Sequence, residues 1–250
     1  MLQLRATWSA LAAADSLPQA HVMFCFCGQR PLVYLSVNIM PEFPVQQMDC
    51  FAYVAESLAD SGWSVIEDAL PPDVIASLEK NCHALWACDE LEPAAVGRAG
   101  EEKIIPEVRG DYIRWVDNGT ANEPLTRYLH FMDQLRSHLN QSLFLGLEDF
   151  ETHFALYPPG AGYQRHVDRF KSSPLRTVSV VLYLNTAWQP GDGGELCLYL
   201  ADRTEVIAPR AGTLAVFMSA DMPHEVLKAQ RHRASLVGWY RRRPDNPLFR

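Results

Sequence analysis

Tyr157-Pro158-Pro159-Gly160-Ala161-Gly162-Tyr163-Gln164-Arg165-His166-Val167-Asp168 joins a strand-like run to a His-x-Asp pair through a turn rich in proline and glycine. In an extended chain, residues two apart project to the same face, so His166 and Asp168 can reach one ion. His224 follows Pro223 and a turn, where a neighbouring strand can offer it as a third ligand. Two imidazoles and one carboxylate form the facial set used for non-haem Fe(II), which leaves coordination positions open for other groups. Alone, a His-x-Asp pair is a weak signal, and its weight comes from what surrounds it.

Around that stretch the hydrophobic period is two. Runs at 150–157, 177–184, 195–199, 205–207, 213–217 and 234–240 predict short strands. Turn signals at 158–160, 190–194, 209–212 and Pro223 separate them. Upstream the period is helical. Asp49 is placed to cap a helix that carries Phe51, Val54, Ala55 and Leu58 on one face and ends at Gly62. Residues 63–66 read as a strand. Pro71 and Pro72 open a second helix with Val74, Ile75, Leu78, Cys82, Leu85 and Trp86 at helical spacing. After Pro124 a third helix aligns Leu125, Tyr128, Leu129, Met132, Leu135 and Leu139. The charged, Gly/Ala/Pro-rich residues 89–108 read as a mobile loop. Helices first and short strands afterwards predict an α+β fold, mainly a β core with N-terminal helices packed on one side. One domain over residues 49–250 accounts for this pattern, with residues 1–48 as an N-terminal extension of uncertain order. That extension does not follow the order of a signal peptide, and Met40 and Met48 stand as alternative starts.

Arg233 lies nine residues after His224. From it the chain alternates, with Arg233, Ser235, Val237 and Trp239 on one face and Ala234, Leu236, Gly238 and Tyr240 on the other. With the first set inward, a guanidinium lies inside the barrel beside a hydroxyl. A buried guanidinium is costly unless paired, and a dicarboxylate ligand pairs it through two hydrogen bonds. Residues 177–184 put Thr177, Ser179, Val181 and Tyr183 on one face, with Tyr183 able to bond the same carboxylate. An arginine by itself is most often half of a surface ion pair; beside His166, Asp168 and His224 it points to an organic acid. The remaining histidines take plainer roles: His130 and His138 face solvent on the third helix, His83 sits on the second, and His21 lies in the extension. His153 reads as a satisfied structural histidine near the site, and His232 as pointing away from Arg233.

The chain has 250 residues, 48% of them hydrophobic, enough for a sizeable core. A net charge of −8 repels phosphate backbones and disfavours nucleic acid as a partner. The local cluster of Arg231, His232, Arg233, Arg241, Arg242 and Arg243 reads mainly as a solvated face. Six cysteines, none in a C-x-x-C pair, argue against a zinc ribbon and suit reduced thiols in the cytoplasm. No apolar run reaches the length of a membrane span.

Together these segments resemble a known family. The stretch from Tyr157 to Asp168, Tyr183-Leu184-Asn185, Gly193-Gly194-Glu195-Leu196, Pro223-His224-Glu225-Val226, and Arg233 through Trp239-Tyr240 look like the hypoxia-inducible-factor prolyl hydroxylases and their bacterial relatives. Arg109-Gly110-Asp111-Tyr112-Ile113-Arg114-Trp115 is similar to a segment that family uses near its substrate. The resemblance implies a double-stranded β-helix (jelly roll), Fe(II), 2-oxoglutarate and O2 as co-substrates, and ascorbate as a candidate reductant. It implies hydroxylation at C4 of a prolyl residue in a protein, with 2-oxoglutarate decarboxylated to succinate. By matched position His166, Asp168 and His224 are the iron ligands, Arg233 and Tyr183 bind the distal carboxylate, Tyr157 lines the co-substrate pocket, and Trp239 packs near the metal. Arg109, Asp111 and Arg176 fall on the substrate side, and residues 89–108 match a substrate-covering segment whose sequence departs from the animal enzymes. In a bacterium the partner would be another protein with a target proline, a translation factor for example.

Three alternatives keep the fold and change the function. A nucleic-acid demethylase of the superfamily carries a second arginine six residues after the first, where Trp239 stands here. A small-molecule oxygenase would share the iron site. A non-catalytic jelly-roll sensor would need no intact triad, yet His166, Asp168, His224 and Arg233 are all present.

Overall fold

The computed structural model describes residues 24–27, 30–33, 45–97, 103–117, 122–169 and 175–243. The chain divides into two compact units. In Met1–Pro44 the described residues form an antiparallel hairpin, β1 (Phe24–Cys27) against β2 (Arg30–Val33). His21 lies outside the described residues.

Val45–Arg250 begins with helix α1 (Val45–Ser61), strand β3 (Trp63–Ile66) and helix α2 (Pro72–Ala87). α1 opens four residues before the Asp49 expected to cap it. Nothing in Val45-Gln46-Gln47-Met48 stops a helix, so it extends back to the residue after Pro44, beyond which helix is disfavoured. Gly62 ends it at φ +79°. Helix α3 (Glu123–Leu143) is capped by the Asn122 side chain, which accepts from Leu125 N at 3.2 Å. Its buried stripe includes Phe131, whose ring meets Phe51 edge-on at 5.1 Å, while Leu129 is only half-buried. His130 is exposed as expected; His138 is half-buried, its ring 6.1 Å from that of Phe51.

The strands build two sheets. The larger contains β3, β11 (Leu214–Met218), β8 (Arg176–Tyr183), β13 (Arg233–Arg242), β6 (Leu147–Tyr157), β5 (Tyr112–Trp115) and β4 (Glu92–Pro93), in that order. The smaller contains β10 (Thr204–Ile207), β9 (Leu196–Tyr199), β12 (His224–Val226) and β7 (Tyr163–His166). Every pairing between these strands is antiparallel. The eight strands from β6 to β13 divide four to each sheet, β6, β8, β11 and β13 in the larger and β7, β9, β10 and β12 in the smaller, the arrangement of a double-stranded β-helix, as expected. The expected loop at 89–108 instead contributes β4, and Val96 bridges to Lys103; residues 98–102 lie outside the described residues.

Alternation sorts the large sheet's side chains into two cores. Phe154, Leu156, Val180, Leu182, Ala234, Leu236 and Tyr240 pack against the helices. Ala155, Tyr157, Val181, Tyr183, Ala215 and Phe217 face Leu196, Leu198, Ile207 and Val226 of the smaller sheet. A one-residue slip of β13 would exchange these faces, so its ten-residue pairing with β6 fixes where Arg233 points.

Candidate active site

The structure brings His166, Asp168 and His224 together, their ligand atoms all within 4.8 Å of one another. His166 and His224 are register partners on β7 and β12. His166 Nε2 is 3.6 Å from Asp168 Oδ1, and His224 Nε2 is 3.7 Å from Oδ2. Each imidazole is oriented from behind. His166 Nδ1 donates to Gln164 O at 2.7 Å and His224 Nδ1 to Met222 O at 2.9 Å. Carbonyls only accept, so both Nδ1 atoms carry the proton and both Nε2 lone pairs face the third ligand.

Asp168 is tethered as well. Ser179 Oγ donates to its Oδ2 at 2.7 Å and lies 2.8 Å from Ser219 Oγ. The Ser179 proton is committed to the carboxylate, so Ser219 must donate to Ser179. Burial raises the Asp168 carboxyl, but His224, His166 and Ser179 outweigh it and hold the group well below the usual carboxylate range. Burial lowers His224. The resulting anionic carboxylate and neutral imidazole are the protonation states a divalent ion requires.

Arg233 is 3% exposed, with Tyr157 and Tyr183 flanking its guanidinium, each ring centroid 4.9 Å away. Nε donates to Gly194 O at 3.2 Å and Nη1 to Ser235 Oγ at 2.9 Å. Gly194 is at φ +77°, which strains any other residue, and a Cβ there would press on Arg233 Cγ at 3.0 Å. Nη2 of Arg233 and the Tyr183 hydroxyl are buried without a hydrogen-bond partner among the described residues. Such groups cost roughly 1–3 kcal/mol each when unmatched, so the fold holds two donors ready for an acceptor it does not supply. A carboxylate satisfies both. Burial pushes the Tyr183 phenol up to about 12, so it remains a donor.

Arg233 and the triad line one cavity of about 760 Å3, together with Tyr157, Val181, Val237 and Trp239. Tyr183 pairs with Ser235 and Ser179 with Trp239, so the carboxylate-binding end and the Asp168 tether lie four residues apart along β13. That is about 13 Å of strand. Also lining the cavity, Arg109 grips Asp111 with two hydrogen bonds of 2.7 and 3.0 Å, and Asp111 is 2% exposed. Arg176 stacks over Trp239 at 3.5 Å and donates to Glu151 at 2.8 Å. Both arginines thus meet the cavity wall already paired. Behind them, the segment carrying Arg109 is stitched to β7: Gln164 N donates to Val108 O at 2.9 Å and Gly110 N to Gly162 O at 3.0 Å.

Some roles read from the sequence need correction, and others escaped it. His153 is not a satisfied structural histidine, because neither ring nitrogen has a hydrogen-bond partner among the described residues. Ser219 and the Gly194 carbonyl could not be placed without knowing which turns fold back onto the site. Tyr163, stacked on His166 with ring centroids 3.6 Å apart, sat inside the quoted stretch without an assigned part. His232 does point away from Arg233, packing on Trp86 at 5.5 Å. Arg231, Arg241 and Arg243 pair with surface carboxylates, as a solvated face predicts.

Comparisons with known proteins identify the family. Residues 152–241 match the 2OG-Fe(II) oxygenase superfamily. A Caenorhabditis elegans hypoxia-inducible factor prolyl hydroxylase is 30% identical over 203 residues, which cover 75% of this chain but only 28% of the worm protein. A prolyl hydroxylase from Trichoplax adhaerens, solved with a hypoxia-inducible-factor peptide fragment, superposes with a TM-score of 0.72 at 26% identity, over 78% of this chain and 90% of that one. The crystal structure of a Pseudomonas putida prolyl-4-hydroxylase is 51% identical with a TM-score of 0.71, over 78% of this chain and all of that one. The chain belongs to the prolyl hydroxylases of the 2OG-Fe(II) oxygenase superfamily, which use Fe(II), 2-oxoglutarate and O2.

Proposed function

We propose that this chain hydroxylates C4 of a prolyl residue in a protein, coupled to conversion of 2-oxoglutarate and O2 to succinate and carbon dioxide. The observation that carries the reading is the pair of unmatched donors, Arg233 Nη2 and the Tyr183 hydroxyl, in the barrel that also holds the His166–Asp168–His224 cluster. His166, Asp168 and His224 would hold the iron, and Arg233 with Tyr183 the far carboxylate of the co-substrate. Iron held by these three residues would supply the oxidative chemistry, by which one oxygen atom of O2 would end on the prolyl carbon and the other in succinate. The chain's own task is to orient and to shield. Nδ1 hydrogen bonds keep both imidazoles aimed, Ser179 fixes the carboxylate, and Val181, Val237 and Trp239 keep water from the reacting centre.

Arg109, Asp111 and Arg176 shape the mouth through which the peptide enters. The Trichoplax relative was solved with a hypoxia-inducible-factor peptide fragment; for this chain the first proteins to search are abundant cytoplasmic ones such as translation factors. The test is to incubate the protein with Fe(II), 2-oxoglutarate and a cell extract, then look by mass spectrometry for one added oxygen atom on proline. Succinate should form with the native chain and not with Asp168→Ala. Absence of any proline modification alongside vigorous succinate release would move the substrate to small molecules.

A further inference from the structure

His153 is a buried polar side chain to which the fold gives no hydrogen-bond partner. It lies on β6, 1% exposed, and both Nδ1 and Nε2 are unmatched among the described residues. His166 and His224, by contrast, are each anchored to a backbone carbonyl. Trp115 and Trp239 pack around the His153 ring, with centroids at 4.8 and 5.4 Å. The register partners of His153 are Val237 on β13 and Trp115 on β5, and Val237 pairs in turn with Val181 on β8. These four residues form one row across the inner face of the large sheet, and all four line the cavity.

Tyr183 and Arg233 lie on one side of that row, and Ser179, the tether of Asp168, lies on the other. A ligand that reaches from Arg233 toward the triad therefore crosses it. Val181 and Val237 offer such a ligand no polar contact; the imidazole does. Burial lowers the His153 imidazole to about 3, and the opposing charges of Asp111 and Arg109 do not reverse this. It is neutral, so one ring nitrogen keeps a proton to donate.

We infer that His153 donates a hydrogen bond to the 2-oxo-acid end of the co-substrate, holding that end against Val181 and Val237. The inference rests on the co-substrate reading proposed above. His153 is then a positioning residue that contributes to co-substrate affinity and leaves the metal ligands alone.

The experiment measures 2-oxoglutarate binding to the full chain loaded with Mn(II), without turnover, by calorimetry and by intrinsic tryptophan fluorescence, to which Trp115 and Trp239 beside the imidazole contribute. His153→Leu should weaken binding about tenfold, the worth of one hydrogen bond to a charged acceptor, while Mn(II) affinity holds. His153→Gln, which keeps an N–H donor, should recover most of the loss; a purely structural role gives no such recovery. Native affinity in His153→Leu, or no recovery in His153→Gln, overturns the inference. So does an unchanged 2-oxoglutarate affinity with a raised KM for peptide, which would assign the imidazole to the substrate. Arg233→Leu serves as the control: if it binds 2-oxoglutarate as tightly as the native chain, the co-substrate reading itself fails.

Discussion

Acidification from about pH 8 to about pH 5 should cost the native chain about 2 kcal/mol more stability than it costs His153→Leu. Burial lowers the His153 imidazole from its ordinary 6.5 to about 3. Between those values the unfolded chain binds a proton that the folded chain refuses. Stability contributed by the neutral buried ring is therefore complete above the unfolded value and declines as pH falls below it. At about pH 5 the unfolded group has gained roughly 1.5 pH units of protonation free energy, at about 1.4 kcal/mol per unit. In the leucine variant that term is missing, whereas every other titrating group is common to both proteins and cancels in the comparison. The assay is urea unfolding followed by far-ultraviolet circular dichroism at the two pH values, with chelator present so that metal does not contribute. Equal losses in the two proteins would refute the reasoning. They would mean that His153 is hydrated or charged in the folded chain, not buried in the tryptophan cage.

Ser179→Ala removes the tether on Asp168 Oδ2, and equilibrium dialysis with Mn(II) should show a loss of affinity of roughly 10- to 100-fold. Unchanged affinity would mean the carboxylate is fixed by other means. Arg233→Glu should abolish 2-oxoglutarate binding while leaving metal affinity nearly intact; calorimetry showing normal binding would displace Arg233 from its assigned role. Gly193→Ala should lower the melting temperature sharply, because its Cβ would sit 2.3 Å from the Lys228 carbonyl oxygen at a φ of +70°. A native-like melt would show that this turn relaxes without strain.

Arg233 was legible in the sequence because strand alternation, a short-range rule, places it in line with Ser235, Val237 and Trp239. His166 and Asp168 were legible by their spacing of two, although β7 ends at His166 and Asp168 sits in the bend beyond it, and His224 by the turn signal that precedes it. Residues whose part depends on two distant segments meeting were harder to see. The Ser179–Ser219 pair joins positions forty residues apart, and the Gly194 carbonyl reaches Arg233 across thirty-nine. His153 was misread for a related reason. Its place near the site follows from alternation along β6, but whether a partner waits for it depends on β5 and β13, which pair with β6 from either side. Among secondary structures the losses were β1, β2, β4, β5, β7 and β12, two to four residues each, too short to show a period. α1 was placed four residues late, since an acidic residue that suits a cap is also tolerated inside a helix, here just past its first turn.

The stitching of residues 108–110 onto β7 has a mechanical consequence. β7 carries His166, and its two edges are held by different parts of the chain, β12 on one side and the segment bearing Arg109 on the other. A guest that moved the segment bearing Arg109 would, through those backbone bonds, move the strand that carries His166, the proposed iron ligand. Occupancy beside Arg109 and grip on the ion would then be thermodynamically coupled. By reciprocity, whatever factor the guest adds to metal retention, the metal returns to the guest.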